Sequence, residues 1–373
     1  MRIVIALVVL GILRRHDRAD GDYIRLAAHY SAVAQMQKLA EGVLIAPRWV
    51  LTAAHVGAEL APAGAFVQLR GKRYRVAAVV IDPDWLADER SGHDFALVRL
   101  EDAVEGITPV APYSGKNEMG MTVTFVGRGA TGDGNSGPST EDGVLRGATN
   151  VVDRVDENVI GFTFDAPPRA TKLEGISGPG DSGGPAIIEH DGKSWTIGVS
   201  SANASERGKS CRYDSHEIYA RVSSHRDWIE KTMRDAPTSN NGWSKAVWTN
   251  ELPATPLASR ARAFVDAVHG DAASMRAFRV ANRTSAFLES RPEAKFVATE
   301  AEWLSKFRDA RLAGYATGDQ KIAIFLTSGA AAASAAETWF CLVLHAGEDA
   351  KIGGIFESEI MAPAAAAAST PAA

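Results

Sequence analysis

The sequence predicts a mostly β protein whose C-terminal part is a smaller α+β domain. Its 373 residues are long for one domain and suit two, and a hydrophobic content of 46% can fill sizeable cores. Short runs of alternating apolar and polar residues occupy 38–130, separated by Gly, Pro or Asp turns. Many short strands with regular turns predict an all-β barrel or sandwich. After residue 254 the apolar spacing changes to that of helices.

The predicted strands follow one another along the first two thirds of the chain. They include the runs at 66–69, 74–80, 122–126 and 159–164. The sequence His-Asp-Gly-Lys at 190–193 predicts a tight hairpin turn between two apolar runs. The stretch 129–143 is rich in Gly, Ser and Asp, which predicts a flexible surface loop. Residues 224–227 predict the start of an amphipathic helix with a capping-box pattern.

The C-terminal domain is predicted at 255–361, after a linker at 236–254. Thr255 and Pro256 form a cap and a first helical residue, and Gly270 ends that helix. A second helix contains Trp303, Leu304 and Phe307. Three strands are then predicted at 321–326, 338–344 and 351–356. Helices followed by a short antiparallel sheet are an α+β arrangement.

The two ends of the chain have biased compositions. Residues 1–11 begin with a basic residue and continue as an apolar run, which is typical of a secretory signal. The run is too short to span a bilayer as a helix. It predicts export to a periplasm or to the cell exterior; the alternative is a first buried strand of a cytosolic protein. The Ala-rich tail at 362–373 is predicted to be disordered.

Charge and cysteine content exclude several classes of function. The net charge of -5 is mild and no block of Lys or Arg occurs, which argues against a nucleic-acid partner. Cys211 and Cys341 are the only cysteines and fall in different predicted domains, which excludes a disulfide scaffold. Metal-ligand spacing is absent from the sequence, so no metal or cofactor is predicted. His93 is interpreted as structural. Three further histidines lie in surface-turn contexts without a partner at ligand spacing: His190, His216 and His225.

One stretch fits neither a helix nor a strand: residues 178–185, Gly-Pro-Gly-Asp-Ser-Gly-Gly-Pro. Its glycines allow backbone angles that a Cβ forbids, so its amide groups can converge on one point. The hydroxyl of Ser182, at the centre of this loop, would lie beside donors able to hold a developing oxyanion. A Gly-rich loop alone is more often only a turn. Chemistry at Ser182 therefore needs a base and an orienting acid from elsewhere in the chain.

A candidate base and a candidate acid both occur, each beside an apolar strand. His55 follows the run at 42–50, and Asp94 precedes the alternating run at 95–100. The order His, Asp, Ser with these flanks resembles the chymotrypsin/trypsin family of serine proteases. Two later segments resemble the family's strand beside the substrate and its closing strand and helix, 197–201 and 219–229. The resemblance covers residues 12–235.

The resemblance implies two six-stranded β-barrels with the site between them, and serine endopeptidase activity. His55 would be the general base, Asp94 would orient it, and Ser182 would be the nucleophile. The amide groups of Gly180 and Ser182 would form the oxyanion hole. A second interpretation is a protease fold used as a binding or scaffold module, with the C-terminal domain as the platform for a partner or ligand. That domain is vaguely similar to nuclear-transport-factor-like domains.

The resemblance also implies which residues contact a protein or peptide substrate. Ser201 would brace the catalytic acid, and the backbone of Ser201, Ala202 and Asn203 would pair with the extended substrate as an added strand. Ile176 stands at the pocket floor, where trypsin-like members have an acid. Glu217 stands on the opposite wall, where a small residue is usual, and would either accept Lys or Arg from the side or narrow the pocket. An apolar or mixed preference is expected.

Activation by cleavage is a further implication of the resemblance. In the family, a newly freed N-terminus folds inward and pairs with the Asp that precedes the catalytic Ser. Removal of residues 1–11 would leave the Ile12 ammonium to pair with Asp181. Cys211 stands where the family has half of a disulfide whose other position is not a cysteine here, so a free thiol is expected. The loop at 70–73 carries no acid, so the calcium site of some members is not expected.

Overall fold

The computed structural model describes residues 12–37, 40–140, 142–178, 180–205, 210–290, 292–328, 337–348 and 351–363. The predicted signal-like segment and almost all of the Ala-rich tail lie outside these residues. The chain divides into two compact units. The larger unit holds the described residues up to Asn241 except Ala61–Ala65, and Gly242 lies in the smaller unit, so the division falls inside the predicted linker. No helix of the described residues is long and apolar enough to cross a membrane.

The first half of the larger unit is a closed barrel of six antiparallel strands. A short strand, β1 (Leu13–Arg14), and a helix, α1 (Asp20–Ala27), precede it. The barrel strands are β2 (Val33–Met36), β3 (Ala40–Ala46), β4 (Trp49–Thr52), β5 (Phe66–Leu69), β6 (Lys72–Ile81) and β7 (Ala96–Leu100), in the order β2-β3-β4-β7-β6-β5. Two short helices interrupt them, α2 (Ala54–Glu59) and α3 (Pro83–Ala87). Alternation along the strands turns one set of apolar side chains into the barrel core.

The second half of the larger unit is a half-barrel closed off by a helix. Its strands and those of a small adjoining sheet are β8 (Ala111–Pro112), β9 (Thr122–Gly127), β10 (Thr131–Asp133), β11 (Gly137–Thr140), β12 (Arg146–Val151), β13 (Arg154–Val155), β14 (Val159–Thr163), β15 (Gly175–Ile176), β16 (Pro185–His190), β17 (Lys193–Asn203) and β18 (His216–Arg221). The half-barrel order is β12-β9-β16-β17-β18-β14-β13, with β8 on β17. The small sheet runs β11-β10-β1-β15, and the helix is α4 (Val222–Asp235). This is the predicted double-barrel architecture, with one barrel closed and the other a half-barrel.

The strands that alternation of apolar and polar residues predicts in this unit are confirmed. Strands are present at all four predicted runs. The predicted hairpin is confirmed, because β16 and β17 are joined by Asp191 and Gly192 with φ angles of 52° and 71°. Two successive positive φ angles are what a two-residue turn of this kind requires.

Two other local predictions in this unit are wrong. The stretch 129–143, predicted as a surface loop, contains β10 and β11, because β10 finds a parallel partner in β1. The closing helix begins at Val222, earlier than the predicted capping box. The Ser224 hydroxyl donates to the carbonyl of Arg221 at 2.9 Å and so does not cap an amide. In the first of these errors, the partner strand β1 lies far from the stretch in sequence, so the local pattern does not show it.

The smaller unit is α+β, as predicted. Its helices are α5 (Pro256–Val268), α6 (Ala272–Asn282), α7 (Ser285–Glu289) and α8 (Glu293–Phe307). They precede an antiparallel sheet of β19 (Arg311–Gly318), β20 (Lys321–Ser328), β21 (Thr338–Ala346) and β22 (Ile352–Ile360). The Thr255 side chain caps α5 by accepting the Ala258 amide at 3.3 Å. The elements α6, α7 and β19 are missing from the sequence prediction. In α6 only two apolar side chains are buried, Met275 and Phe278, so the helical spacing of apolar residues gives a weak signal there.

Candidate active site

The register of two barrel strands places His55 beside Asp94. β4 pairs with β7 so that Thr52 lies opposite Ala96. His55 follows β4 in the first turn of α2, and Asp94 precedes β7, so both lie at one end of this strand pair. The His55 amide donates to Oδ1 of Asp94 at 3.0 Å, and the ring Nδ1 lies 2.8 Å from Oδ2. The carboxylate therefore holds the imidazole in one orientation.

The carboxylate of Asp94 is buried, with 5% of the residue exposed. The Ser201 hydroxyl donates to its Oδ2 at 2.6 Å. Burial acts to raise the pKa of Asp94, but the charge of His55 and the hydrogen bonds from His55 and Ser201 outweigh burial and lower the pKa. Because Asp94 is ionised at neutral pH, Nδ1 of His55 carries the proton that faces it. Nε2 is then the basic nitrogen.

The loop that carries Ser182 is packed against β3, β4 and β17. The Ser182 carbonyl accepts the Glu41 amide at 2.9 Å, and the Gly183 amide donates to the Ser200 carbonyl at 2.9 Å. A Cβ on Gly183 would lie 2.1 Å from the Thr52 hydroxyl, so no larger residue fits there. The φ of +80° at Gly183 also favours glycine. Backbone contacts thus fix Ser182 between the two barrel halves.

These contacts bring the three predicted catalytic residues to one region. Ser200, which binds the loop, is followed by Ser201, which binds Asp94. The Ser182 side chain is half-buried, and among the described residues no hydrogen bond joins its hydroxyl to the His55 ring. Catalytic hydrogen bonds of this kind are often long without substrate and shorten when substrate binds.

The two amides expected to form an oxyanion hole belong to a tight turn. The Asp181 amide donates to the Gly178 carbonyl at 3.1 Å, and the Gly184 amide donates to the Asp181 carbonyl at 2.8 Å. Gly180 has a φ of +99°, which favours glycine. The amides of Gly180 and Ser182 donate to no other residue that the structure describes. The loop therefore leaves the two donors beside the Ser182 hydroxyl available to a ligand.

Comparison with known proteins decides the family. A family model described as Trypsin matches residues 20–229, over half of the chain. The chain belongs to the trypsin family. Serine protease SP24D of Anopheles gambiae is 31% identical over 209 residues, which cover 52% of this chain and 71% of that protein. A solved structure of neuropsin, described as a serine protease expressed in the limbic system of mouse brain, is 20% identical with a TM-score of 0.46 and covers 56% of this chain and 96% of that chain.

Membership of the trypsin family establishes the class of activity. The chain is a serine-type endopeptidase, a hydrolase. The roles of individual residues rest on the geometry of the site.

Asp181 of this trypsin-family chain is buried, with 1% exposed, and forms no ion pair with another described residue. Its carboxyl accepts the amides of Gly129 at 3.2 Å and Gly178 at 3.1 Å. Burial raises the pKa of Asp181 to about 7, and these two hydrogen bonds oppose it only in part. Ile12 is equally buried, and its carbonyl accepts the Thr131 hydroxyl at 3.0 Å. One short segment, from Gly129 to Thr131, therefore contacts both members of the predicted activation pair.

A buried polar cluster surrounds Glu217, the predicted pocket-wall residue. The Ser177 hydroxyl donates to the Glu217 carboxyl and accepts a hydrogen bond from the Tyr219 hydroxyl at 2.9 Å. It also lies 3.2 Å from the hydroxyl of Ser200, in the strand beside the nucleophile loop. Burial raises the pKa of Glu217 well above its usual value. Burial therefore favours the protonated, neutral form of Glu217.

The other predicted substrate residues lie at the surface or in an apolar cluster. Asn203 is opposite Glu217 in the pairing of β17 with β18, and both Ala202 and Asn203 are exposed. Ile176 is fully buried in an apolar cluster whose other members are Leu13, Phe164 and Cys211. Cys211 is a free thiol, as expected, and burial raises its pKa to about 12. The residue predicted at the pocket floor is thus apolar, and the residue predicted at the pocket wall is a buried carboxyl.

The prediction that His225 is a surface-turn residue without a partner is wrong. His225 is 4% exposed, and its Nε2 lies 2.8 Å from Nδ1 of His93. Oδ1 of Asp82 lies 3.8 Å from the same nitrogen of His93. The spacing of Val222, His225 and Ile229 along α4 does indicate one buried face. The partners of His225 lie far away in the chain, so only the fold reveals this cluster.

The pKa of His55 sets the expected pH dependence of the endopeptidase. Burial acts to lower that pKa, but the charge and hydrogen bond of Asp94 outweigh burial and raise it above 6.5. A base must be neutral to accept a proton, so if His55 is the base, kcat/KM should rise with pH through a midpoint above 6.5. Asp94→Asn removes the charge that raises the pKa, so the midpoint should move to lower pH and kcat should fall by about 10⁴-fold.

Rate profiles of both proteins with an activated peptide ester check this prediction. A midpoint in the variant equal to or above that of the unmodified protein would contradict it.

Proposed function

We propose that this endopeptidase hydrolyses peptide bonds through an acyl-enzyme on Ser182, with His55 as the base and Asp94 as the residue that orients it. The observation that carries the proposal is the buried hydrogen-bond chain from Ser201 through Asp94 to His55. This chain leaves Nε2 of His55 as the basic nitrogen, and backbone contacts hold the Ser182 loop at the same place.

The side chains of the proposed site act in succession during the reaction. Oγ of Ser182 attacks the scissile carbonyl while Nε2 of His55 takes the hydroxyl proton. The oxyanion accepts hydrogen bonds from the amides of Gly180 and Ser182, and loss of one such donor typically lowers kcat by ~10²–10³-fold. His55 then protonates the leaving amine, and water activated by His55 releases the acyl group. Ionised Asp94 stabilises the imidazolium in both halves of the reaction.

Two features of the site support an extended peptide with an apolar or mixed preference. Exposed Ala202 and Asn203 end β17, and an extended segment can join a sheet there through backbone hydrogen bonds. The side chain before the scissile bond would meet apolar Ile176 and the buried carboxyl of Glu217. A Lys side chain could also enter, because a nearby cation lowers the pKa of a carboxyl and would favour the ionised form of Glu217.

Substitution of the nucleophile and the base tests the mechanism. Ser182→Ala and His55→Ala should each reduce kcat by about 10⁴–10⁶-fold, and the double variant should lose little more, because the residues act as one unit. A fluorophosphonate probe should label the unmodified protein and the Ser194→Ala control, whose hydroxyl binds Glu189 on a surface hairpin. It should not label Ser182→Ala.

The competing interpretation of the chain as a binding module makes the opposite prediction. It expects no probe labelling of the unmodified protein and equal, background hydrolysis by the unmodified protein and all the variants. That result would overturn the proposed mechanism.

We further propose that residues 1–11 direct export and that their removal activates the enzyme. The freed Ile12 ammonium would pair with Asp181, which is buried, lacks an ion-pair partner among the described residues and shares its Gly129–Thr131 neighbour segment with Ile12. A cation at this position would lower the pKa of Asp181 from about 7 and keep its carboxyl ionised at neutral pH. The pair would fix the loop that carries the oxyanion donors.

Two versions of the chain, beginning at Ile12 or carrying added residues before it, test the pairing. Breaking a buried ion pair costs roughly 3–5 kcal/mol, so the chain with a free Ile12 should have a kcat/KM higher by about 10²–10³-fold. Asp181→Asn should abolish the difference and leave the His55–Asp94 hydrogen bond intact. Equal rates for the two unmodified chains would contradict the proposal, and N-terminal sequencing of secreted protein locates the natural cleavage.

Peptide substrates ending in Phe, Ala or Lys test the role of Glu217. Glu217→Gln keeps the shape but cannot ionise, so the Lys substrate should lose the ~1.5–3 kcal/mol of a hydrogen bond to a charged group, about 10–100-fold in kcat/KM. The Phe and Ala substrates should change by less than about threefold. Glu189→Gln, at an exposed acid of β16, is the matched control. An unchanged Lys rate in Glu217→Gln would remove Glu217 from substrate recognition.

A further inference from the structure

A second cluster of polar side chains lies behind the segment that carries Asp94. Asp82, His93 and His225 each offer one ligand atom, and these three atoms all lie within 4.8 Å of one another. Nδ1 of His93 is central, at 2.8 Å from His225, 3.8 Å from Asp82 and 3.4 Å from Oδ2 of Asp84. Asp82 and His225 are buried, whereas the side chains of His93 and Asp84 are 22% and 69% exposed. The cluster is closed on one side and reachable from solvent on the other.

Hydrogen bonds around the cluster fix the orientation of His225 and Asp82, as hydrogen bonds do for the ligands of metal sites. Nδ1 of His225 lies 3.1 Å from the carbonyl of Arg221, to which only a protonated nitrogen can donate. Nε2 of His225 is therefore an unprotonated lone pair directed at His93, and the ring of Phe95 packs against His225 at 4.5 Å. Asp82 is fixed because its carboxylate accepts the amide of Asp84 at 2.9 Å. A ligating histidine commonly has its other ring nitrogen held by a carbonyl in this way.

We propose that Asp82, His93 and His225 bind a divalent transition metal ion of the zinc class, with Asp84 or water as the fourth ligand. Imidazole nitrogen and carboxylate oxygen bind zinc at about 2.0–2.2 Å, so tetrahedral ligand atoms are separated by roughly 3.3 Å. The separation from His93 to Asp84 is close to that value, and the separation from His93 to Asp82 must shorten by about half an ångström. The separation from His93 to His225 must open by about half an ångström, which a small rotation of the partly exposed His93 ring provides.

Metal binding requires one proton of His93 to move from one ring nitrogen to the other. Without metal, the proton between the two rings resides on Nδ1 of His93, because Nε2 of His225 is the acceptor, and Nε2 of His93 lies 3.0 Å from Nδ2 of Asn158. Metal takes the place of this proton, as metals do when they bind ligating groups. The displaced proton moves to Nε2 of His93, and the resulting N–H can donate a hydrogen bond to Oδ1 of Asn158 after rotation of the Asn158 amide.

The position of the site indicates what the metal would do. The two histidines are 132 residues apart and join the segment before β7 to helix α4, the last element of the larger unit. The two cysteines of the chain form no disulfide, so no covalent link closes a loop of this length. A metal ion that links two residues far apart in the sequence restricts the unfolded chain and stabilises the folded state. It would also fix the residue that precedes Asp94.

Metal binding to the full chain tests the proposal. After treatment with EDTA, the protein should bind Co²⁺ at one ion per chain, with the absorption bands of a tetrahedral site, and ZnCl₂ should displace the Co²⁺. Saturating ZnCl₂ should raise the Tm by about 2–4 °C or more. His225→Gln and His93→Gln should each lose both effects. The matched control is His190→Gln, because His190 is an exposed histidine 3.4 Å from the carboxylate of Asp191, and it should behave as the unmodified protein does.

Three results would overturn the proposal. The first is the absence of both Co²⁺ absorption and a Tm shift in the unmodified protein. The second is binding by His93→Gln equal to that of the unmodified protein; because His93 is partly exposed, this variant keeps the test decisive even where His225→Gln fails to fold. The third is binding that persists in His93→Gln but is lost in His55→Ala, which would place the metal at the active site.

Discussion

The buried charge of Asp94 is the constraint on which the rest of the site depends. A carboxylate with 5% exposure is stable only where donors replace the water it has lost. Those donors are the amide and ring of His55 and the hydroxyl of Ser201, which come from opposite halves of the double barrel. The hydrogen bonds to the Asp94 carboxylate therefore link β17 to α2, and they fix the tautomer of His55, the proposed base.

The segment that carries Asp94 is also held from its other side. His93, the residue before it, is bonded to His225 of α4, and the ring of Phe95, the residue after it, packs on His225. The backbone carbonyl of Phe95 accepts the amide of Asp82 at 2.9 Å. The proposed metal ligands thus contact both neighbours of Asp94, the carboxylate proposed to orient His55. The proposed metal site and the proposed catalytic site share one short segment, since His93 directly precedes Asp94.

The sequence predicts what is encoded locally and fails where partners are distant. The Ser182 loop and the His55 and Asp94 segments are recognisable because each has its own flanking pattern, and alternation predicts the strands. The strand β10 within 129–143 has no such pattern, because it exists through pairing with β1. The burial of His225 follows from a contact with His93 across 132 residues. The pKa of Glu217 is likewise raised mainly because the fold removes water from around its carboxyl.

A crystal structure of the protein after reaction with a fluorophosphonate tests whether His55, Asp94 and Ser182 act together. Phosphorus should be bound to Oγ of Ser182, with one phosphonyl oxygen accepting hydrogen bonds from the amides of Gly180 and Ser182. Nε2 of His55 should lie within hydrogen-bond distance of the adduct while Nδ1 remains bonded to Asp94. An adduct on another residue, or one on Ser182 whose oxygens face solvent with the His55 ring turned away, would contradict it.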